Sequence, residues 1–454
     1  MSKAISYVLS AIGVVALALA YLEPISGLTT EGNRAVGLTI FAATWWVAEL
    51  IPGPLTSILI PVLAILYIGT DIPTAMGGFL VPAVWFFLGA SMMMTAVTET
   101  GLGDRIGTRL SAGGRIKSIR SLVLMSFILG IVFGPILPSL VAKYMVAVPI
   151  YIGILKKLGV KARSKEAAWA LMSLAIGIRS SALIVLNGDV LNIVTAGLLG
   201  VHRGLTVSWG EFLSAFGPPA AAATLLSLAL LLLLSPKTKF PKPIQHSSVA
   251  STLGANEKRA LIILGSGIII WGLDFIHKID PSWIAVLLGV VFFLPRVGVL
   301  GGKDLNKLDY GLFIYGGGAI SLSFILLSSG VAVLFSDAIA RIGGNLDTFT
   351  AFIVFSILTS LVHFGMTGVA TASIVQPISM QFFSSVGANP ILGAATAIVG
   401  NTWFIFPYQL IPTMIILRTG WVAMDDWIKI TITWTIMSIA ILPLLYYGWL
   451  TFIL

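Results

Sequence analysis

Ionisable side chains inside long apolar stretches are the residues of this sequence that could do chemistry. A charge at the centre of a membrane-spanning helix costs at least about 2.5 kcal/mol on insertion scales, so it calls for a function or a partner. Four such side chains stand out: Lys143, Arg179, Asp189 and His363. Because three of them can be positive, the pattern predicts a site that attracts an anion at membrane depth without needing a bound cation.

Each of these side chains also has a structural interpretation. Lys143, the leading candidate for an anion contact, could instead extend toward the cytoplasmic surface from a shallow hairpin. Arg179 could pair with Asp189 or with the C-terminal end of a helix. His363 could be a hydrogen-bonded core imidazole, a ligand contact, or a titrating group that couples a proton.

The same stretches contain residues that interrupt helices. Unpaired backbone groups at membrane depth are tolerated only inside protein or beside a wet cavity, and the N-termini of half-helices attract anions. Gly and Pro are also generally frequent in membrane helices. The interruptions fall on Pro138-Ser139, Asn187-Gly188-Asp189, Gly365-Met366-Thr367-Gly368, and Pro407-Tyr408-Gln409 with Pro412-Thr413. They form one hairpin tip and one broken span in each half, which predicts a central site lined by Asn187, Gly188, Asp189 and Gln409.

The two halves of the chain resemble each other but differ in charge. The stretch from Gly89-Ala90-Ser91 to Pro149-Ile150 returns as Gly317-Gly318-Ala319 to Pro377-Ile378. Lys and Arg flank the first copy on both sides and are almost absent around the second. Because short loops rich in Lys and Arg stay in the cytoplasm, the copies have opposite orientation. Such an inverted repeat is typical of secondary transporters.

The composition places nearly all of the chain in a membrane. Hydrophobic residues make up 57% and charged residues 10%, against about 25% charged in soluble domains. The net charge of +9 lies in short loops, which argues against a nucleic-acid partner. The absence of cysteine excludes disulfides and thiol catalysis, and the scattered histidines give no metal-ligand spacing. We therefore expect no enzyme activity, no metal and no cofactor, and the lack of a P-loop argues against ATP-driven transport.

The predicted fold class is an all-α polytopic membrane protein with eleven spans and two re-entrant hairpins; thirteen or fifteen crossings fit the same charge bias. The predicted units are a first repeat at 1–235 with hairpin 121–155 and broken span 167–200, a cytoplasmic linker at 236–258, and a second repeat at 259–454 with hairpin 350–383 and broken span 389–416. We expect a plasma-membrane protein whose N-terminus is cytoplasmic and whose C-terminus is outside.

Several motifs resemble one known family. They are Trp45-Trp46, Glu49 with Ile51-Pro52, Gly101-Leu102 followed by Arg105, Pro149-Ile150, and Pro377-Ile378. Over essentially its whole length the chain is similar to the divalent anion:sodium symporter family, which carries dicarboxylates, citrate and sulfate and lies within a wider ion transporter superfamily. The resemblance implies an elevator-type transporter with a homodimeric scaffold.

The resemblance also implies site residues. In that family each hairpin tip carries Ser-Asn-Thr and each broken span carries Thr-Pro-Pro-Asn, and these bind sodium and substrate carboxylates. The corresponding segments here are Ser139-Leu140-Val141, Thr367-Gly368-Val369, Asp189-Val190-Leu191-Asn192 and Leu410-Ile411-Pro412-Thr413. The implied substrate contacts are Ser139, Asn192, Thr367, Gly368 and Thr413, beside Lys143, Arg179 and His363. Both Ser-Asn-Thr motifs are lost, so most side-chain oxygens that enclose sodium in the family are missing.

The sequence thus predicts secondary active transport of small anions, di- or tricarboxylates first, by sodium-independent exchange or proton-linked transport. Three alternatives stay open. A sodium-coupled anion symporter would hold the ion with backbone carbonyls. A cation/proton antiporter would need acidic core residues, of which Asp189 is the one found. An intramembrane enzyme would need a nucleophile with a base, or a metal set, at membrane depth.

Overall fold

The computed structural model describes residues 3–22, 25–48, 50–102, 118–136, 140–204, 206–237, 253–343, 346–364 and 367–454. The described residues are almost entirely helical and include no β-strand. Several predicted features lie outside them: the hairpin tips at Pro138-Ser139 and Gly365-Met366, Glu49, the basic segment 103–117, and most of the linker, 238–252.

The first half begins with helices that pack around one another and ends with a hairpin and an interrupted helix. Its helices are α1 (Lys3–Leu22), α2 (Thr30–Ala48), α3 (Gly53–Leu63) continued by a π-helical turn (Ala64–Ile68), α4 (Ile72–Ala75), α5 (Gly77–Leu80), α6 (Pro82–Thr100), α7 (Ile119–Ile136), α8 (Leu140–Lys157), α9 (Lys165–Ala182), a 3₁₀ turn (Leu186–Gly188), α10 (Val190–Arg203) and α11 (Trp209–Leu234).

The second half, like the first, ends with a hairpin followed by an interrupted helix. Its helices are α12 (Ala255–Gly272), α13 (Asp274–His277), α14 (Pro281–Val291), a 3₁₀ turn (Gly302–Lys307), α15 (Tyr310–Ser328), α16 (Val331–Gly343), α17 (Thr348–His363), α18 (Gly368–Ser385), α19 (Pro390–Thr402), a 3₁₀ segment (Pro407–Thr413), α20 (Met414–Arg418) and α21 (Met424–Ile453). We call α7 with α8 the first hairpin and α17 with α18 the second hairpin.

The helices differ from the predicted spans in length. Among the described residues, four are long and apolar enough to cross a bilayer alone: Ala4–Leu22, Trp209–Leu234, Tyr310–Ser328 and Met424–Ile453. Other predicted spans are shorter, because turns interrupt the apolar runs. The run 281–299, for example, is helical only to Val291 and then turns back, with Leu300 N donating to the carbonyl of Phe292 at 2.9 Å.

Close packing of small residues joins the first hairpin to α9. A Cβ on Gly130 would lie 2.7 Å from the carbonyl oxygen of Leu174, and one on Gly177 would lie 2.8 Å from that of Phe127. Small residues at such contacts let helix backbones approach where the apolar surroundings give little hydrophobic drive for association. One buried cluster contains the residues of α7, α8, α9 and α21, while a second cluster joins α2, α3 and α15.

Both halves contain an interrupted helix. The first break (residues 183–189) separates α9 from α10, and the second break (residues 403–413) separates α19 from α20. Asp189 caps α10, accepting a hydrogen bond from Leu191 N at 3.1 Å. In the second half the helix already ends at Thr402, five residues before the predicted interruption at Pro407. The two breaks and the two hairpins position the candidate site.

Candidate functional site

At the first break, a side chain from the same segment of the chain pairs with backbone carbonyl groups. The amide of Asn192 donates to the carbonyl oxygens of Ala182 and Val185, at 2.9 and 2.7 Å. These carbonyls belong to the open end of α9 and would otherwise lie unpaired in the protein interior. The side-chain oxygen of Asn192 has no hydrogen-bond partner, and the residue is fully buried. Asn192 therefore holds the two half-helices at a fixed separation.

Lys143 on α8 holds the first hairpin against the first break. Its Nζ donates hydrogen bonds to the carbonyl oxygens of Gly134, near the end of α7, and of Gly188, in the 3₁₀ turn. The side chain is 0% exposed, so it neither reaches the membrane surface nor lines the cavity described below. Both glycines are closely packed: a Cβ on Gly188 would lie 2.0 Å from the carbonyl oxygen of Ala182. A single ammonium thus neutralises carbonyl dipoles from two elements.

Arg179 on α9 links the two halves. Its Nη1 pairs with Oδ2 of Asp189, so the predicted Arg179–Asp189 pair is present. Its Nε donates to the carbonyl oxygen of Thr402 at 3.2 Å, and its Nη2 to that of Asn401 at 2.5 Å. These carbonyls form the C-terminal end of α19, where a cation is favoured by the helix dipole. Arg179 therefore makes both predicted structural contacts, with an acid and with a helix end.

The second break is held by uncharged groups of its own segment. Oε1 of Gln409 accepts from the backbone N–H groups of Ile405 and Phe406, at 2.9 and 2.8 Å. Thr413 donates to the carbonyl oxygen of Leu410 at 2.7 Å. The Nε2 group of Gln409 has no partner, although the side chain is only 1% exposed. A buried amide that lacks a partner is uncommon, because leaving it unpaired costs about 1–3 kcal/mol.

A cavity of about 380 Å³ lies where the hairpins and breaks meet. One wall comes from α8, α9, α10, the second hairpin and the second break, and the other comes from α2, α3 and α15. The lining residues are Trp46, Gly53, Pro54, Leu140, Arg179, Asp189, Val190, Leu191, Asp309, Gly311, Leu312, Tyr315, His363, Thr367, Gly368, Val369, Gln409, Leu410 and Pro412.

Three helix N-termini meet at this cavity. The first described residues of α8, α10 and α18 all line it, namely Leu140, Val190 and Gly368. Each helix has at least 14 residues and so carries a partial positive charge at this end, and at α10 the carboxylate of Asp189 already accepts from Leu191 N. The C-terminal ends of α7 and α19 are neutralised by Lys143 and Arg179 instead. The arrangement suits a negatively charged ligand.

The opposite wall is aromatic and contacts the second hairpin. The Tyr315 hydroxyl lies 2.8 Å from Oγ1 of Thr367, the residue before α18, and its ring lies 5.7 Å from that of Trp46. Trp46 in turn donates from Nε1 to Ser57 Oγ at 3.1 Å. His363, at the end of α17, packs its ring 6.1 Å from the ring of Trp403. Tyr315 is thus the direct hydrogen-bonded connection across the cavity.

The structure brings some predicted residues together and separates others. Those that line the cavity are Arg179, Asp189, His363, Thr367, Gly368 and Gln409. Those that lie behind it are Lys143, Asn187, Gly188, Asn192 and Thr413. Asn187 accepts a hydrogen bond from Trp209 Nε1 at 3.1 Å. Ser139 lies outside the described residues.

Among the cavity residues that sequence reasoning missed are Trp46, Asp309 and Tyr315. Tyr315 immediately precedes Gly316-Gly317-Gly318, where the repeat of the first half begins, and that position was the available signal. Asp309 is exposed and caps α15 through Gly311 N at 3.0 Å, so an N-cap pattern could have placed it at a helix start. Within the described ranges, no cluster of three His, Asp or Glu side chains is arranged to hold a metal ion.

The chain is similar to known membrane proteins over its whole length. A family model described as the sodium:sulfate symporter transmembrane region matches residues 3–454. A sodium-dependent dicarboxylate transporter, SdcS of Staphylococcus saprophyticus, is 22% identical over 95% of this chain and 88% of its own length. A relative described as a membrane protein, from Cupriavidus necator, is 25% identical over 97% of this chain and 92% of its own length.

A solved structure shares the fold. The YdaH transporter of Alcanivorax borkumensis aligns with a TM-score of 0.55 at 16% identity, covering 99% of this chain and 98% of that one. The two chains therefore follow the same helical architecture from end to end. The matched family, the staphylococcal relative and the Alcanivorax protein are transporters, not enzymes.

Proposed function

The chain belongs to the sodium:sulfate symporter family, as its resemblance to divalent anion:sodium symporters indicated, and on that premise we propose that it carries small anions by alternating access without sodium. Membrane transport follows from the family itself. Di- and tricarboxylates are the first substrates to test, because the staphylococcal relative is named a dicarboxylate transporter.

Two fixed cations at the helix breaks carry the proposal of sodium independence. The family and the staphylococcal relative are named for sodium. In this chain the ammonium of Lys143 is bound by two backbone carbonyl oxygens, and the guanidinium of Arg179 by two more and a carboxylate. Oxygen atoms of this kind are the ligands that a hard cation takes. Fixed side chains thus supply the positive charge that a bound ion would otherwise supply.

We further propose that the hairpins and the half-helices around the breaks move together against α2, α3 and α15. The cavity between these two groups supports this division, as does the matched order of elements in the two halves. In this proposal the units 1–235 and 259–454 are inverted repeats, the assembly is a homodimer in the plasma membrane, and the N- and C-termini lie inside and outside. Lys143, Asn192 and Thr413 hold the site from behind.

A cation/proton antiporter is less well supported, because Asp189 is already paired with Arg179 and caps α10. A proton link through His363 is a second candidate, since this imidazole lines the cavity. It requires anion exchange to change between about pH 5.5 and 7.5. Exchange that is flat over this range would remove His363 from the mechanism.

The direct test uses the purified protein in liposomes loaded with di- and tricarboxylates, with uptake of labelled succinate measured in sodium and in choline buffer. We expect uptake that needs internal anion and is equal in both buffers. Uptake that collapses in choline would contradict the fixed-cation site. Absence of uptake above protein-free liposomes, in both buffers and with each internal anion, would overturn the proposed transport of di- and tricarboxylates.

The variant Lys143→Ala tests whether the lysine is required for sodium-independent exchange. Without the ammonium, the carbonyl oxygens of Gly134 and Gly188 lose their ligand, and we expect exchange to be lost or to become dependent on sodium. Lys307→Ala is the matched control, because this exposed lysine pairs with Glu99 and Asp304 and makes no described contact with the breaks. Wild-type exchange by Lys143→Ala in choline buffer would contradict the proposed role of Lys143.

A further inference from the structure

The charges around the first break do not balance. Asp189 pairs with Arg179, and Lys143, Arg179 and Asp189 are all at least 95% buried; with both bases protonated and the acid ionised, two positive charges face one negative charge. No other Lys, Arg, Asp or Glu among the described residues lines this end of the cavity, since Asp309 is exposed at the opposite wall. With a neutral imidazole at His363, the buried cluster carries one net positive charge. One negative charge on a ligand would neutralise it.

A net charge inside the bilayer is energetically unfavourable. The net charge of this cluster therefore indicates which charge a bound ligand should carry. A part of the protein that moves through the membrane with an unbalanced charge incurs a cost of at least about 2.5 kcal/mol on insertion scales. With a monoanion bound, the cluster of Lys143, Arg179 and Asp189 is neutral. With a dianion bound, one negative charge remains uncompensated.

The rest of the cavity offers an apolar surface. Between the helix N-termini and the aromatic wall, the lining is mainly Leu, Val and Pro, with the rings of Trp46 and Tyr315 opposite the second break. The volume of about 380 Å³ falls in the range of about 300–1,000 Å³ that is typical of pockets for organic ligands. A second carboxylate on a ligand would face this apolar surface and lose its hydration.

One donor in the cavity has no partner. Gln409 uses its oxygen to hold Ile405 N and Phe406 N, which fixes the amide orientation and leaves Nε2 unpaired. The residue lines the cavity and is 1% exposed, so a ligand is the available acceptor among the described surroundings. A neutral donor of this kind pairs well with a carboxylate oxygen.

We infer that the cavity selects an anion with one carboxylate and an apolar body, and that Gln409 donates a hydrogen bond to that carboxylate. This inference rests on the proposed anion transport and changes the expected preference within it, from dicarboxylates to monocarboxylates. The carboxylate lies at the helix N-termini and the apolar body lies toward Trp46 and Tyr315.

The test is calorimetric titration of the protein in lipid nanodiscs at about pH 7. Four probes separate charge from shape: phenylacetate, acetate, 1,4-phenylenediacetate and succinate. Acetate lacks the apolar body, and 1,4-phenylenediacetate adds a second carboxylate to the same ring. We expect phenylacetate to bind at least about tenfold more tightly than each of the other three, a difference of about 1.4 kcal/mol.

Tighter binding of succinate or 1,4-phenylenediacetate than of phenylacetate would overturn the inference and leave the proposed anion transport standing. Absence of binding for all four probes, together with absence of labelled-succinate uptake in liposomes, would overturn both. The ranking is measured on the wild-type protein, so it does not depend on any variant.

Gln409→Glu tests the donor. The variant keeps an oxygen for Ile405 N and Phe406 N but replaces the free amide by a negative oxygen, so phenylacetate affinity should fall at least about tenfold. Asn389→Asp is the matched control, because it makes the same chemical change at the N-cap of α19, where Asn389 accepts from Ile391 N at 3.0 Å. Wild-type affinity in a folded Gln409→Glu protein would exclude the hydrogen bond.

Discussion

The two breaks perform the same structural task with different chemistry. At the first break, the charged side chains Lys143, Arg179 and Asp189 neutralise helix ends and one another. At the second break, the local groups described are uncharged, and Gln409 holds the backbone through its amide oxygen. The cation at the end of α19 comes from Arg179, in the other half of the chain.

This difference shows that the two halves are not interchangeable, although each contains a hairpin followed by an interrupted helix. The first half supplies the charge for both breaks, and the second supplies an unpaired donor to the cavity. Damage to the first break should therefore impair both halves, whereas damage to the second should remain local. The following variants test this asymmetry, beginning with the largest expected effect.

Arg179→Leu should have the largest effect. Removing one partner of a buried ion pair leaves Asp189 charged and unpaired, which typically costs about 3–5 kcal/mol of folding stability. The carbonyls of Asn401 and Thr402 lose their donor as well. We expect a large fall in the thermal melting temperature of the purified protein and loss of anion exchange.

Arg203→Leu is the matched control for this change. Arg203 pairs with Glu211 in a partly exposed setting, with side chains 30% and 33% exposed. Such a pair contributes about 0–1 kcal/mol. If Arg179→Leu lowered the melting temperature no more than Arg203→Leu, the first half would not support both breaks in the way described.

A pair of glycine variants compares the first break with the start of α18 in the second hairpin. A Cβ at Gly188 would lie 2.0 Å from the carbonyl oxygen of Ala182, whereas one at Gly368 would lie 3.4 Å from Oδ1 of Asn401, an ordinary contact. Gly188→Ala should therefore destabilise the protein by about 1–3 kcal/mol through overpacking. Gly368→Ala should stay within about 0.5 kcal/mol. Equal melting temperatures for the two variants would show that the first break is no more tightly packed than the start of α18.

Tyr315→Phe should have a small effect on stability. It removes the hydrogen bond of 2.8 Å between the hydroxyl and Thr367 Oγ1, worth about 1 kcal/mol. Because this bond crosses the cavity, we expect a changed rate of anion exchange with little change in anion affinity.

Tyr447→Phe provides the control, since Tyr447 bonds Thr348 Oγ1 at 2.6 Å at the start of α17, away from the cavity. Its exchange rate should match that of the wild type. Equal rates for wild type, Tyr315→Phe and Tyr447→Phe would mean that the Tyr315 contact does not control opening of the cavity.

Part of this organisation could be predicted from sequence. Asn187-Gly188-Asp189 indicated an interrupted helix, and the helix is interrupted from 183 to 189. The Arg179–Asp189 pair was one of the two structural interpretations, because these are opposite charges near one another in an apolar stretch. The membrane class and the family were also evident, since they depend on composition and on motifs spread along the chain.

The partners of Lys143 could not be predicted. They are backbone carbonyls, which every residue carries, and Gly188 is 45 positions away along the chain. Tertiary packing alone selects them. The contact of Arg179 with Asn401 and Thr402 spans more than 220 positions and could not be predicted for the same reason. The unpaired amide of Gln409 depends on which of its two polar atoms the local backbone uses, which a sequence pattern does not reveal.

The lysine fixed between Gly134 and Gly188 has a thermodynamic consequence. A dissolved ion that enters with a substrate and leaves on the other side releases the free energy of its own gradient in every turnover. A positive charge that is covalently part of the chain travels out and back with it, so its net displacement over one cycle is zero. Such a charge can hold an anion but cannot drive it uphill; a carrier of this design equilibrates its substrates or exchanges one against another.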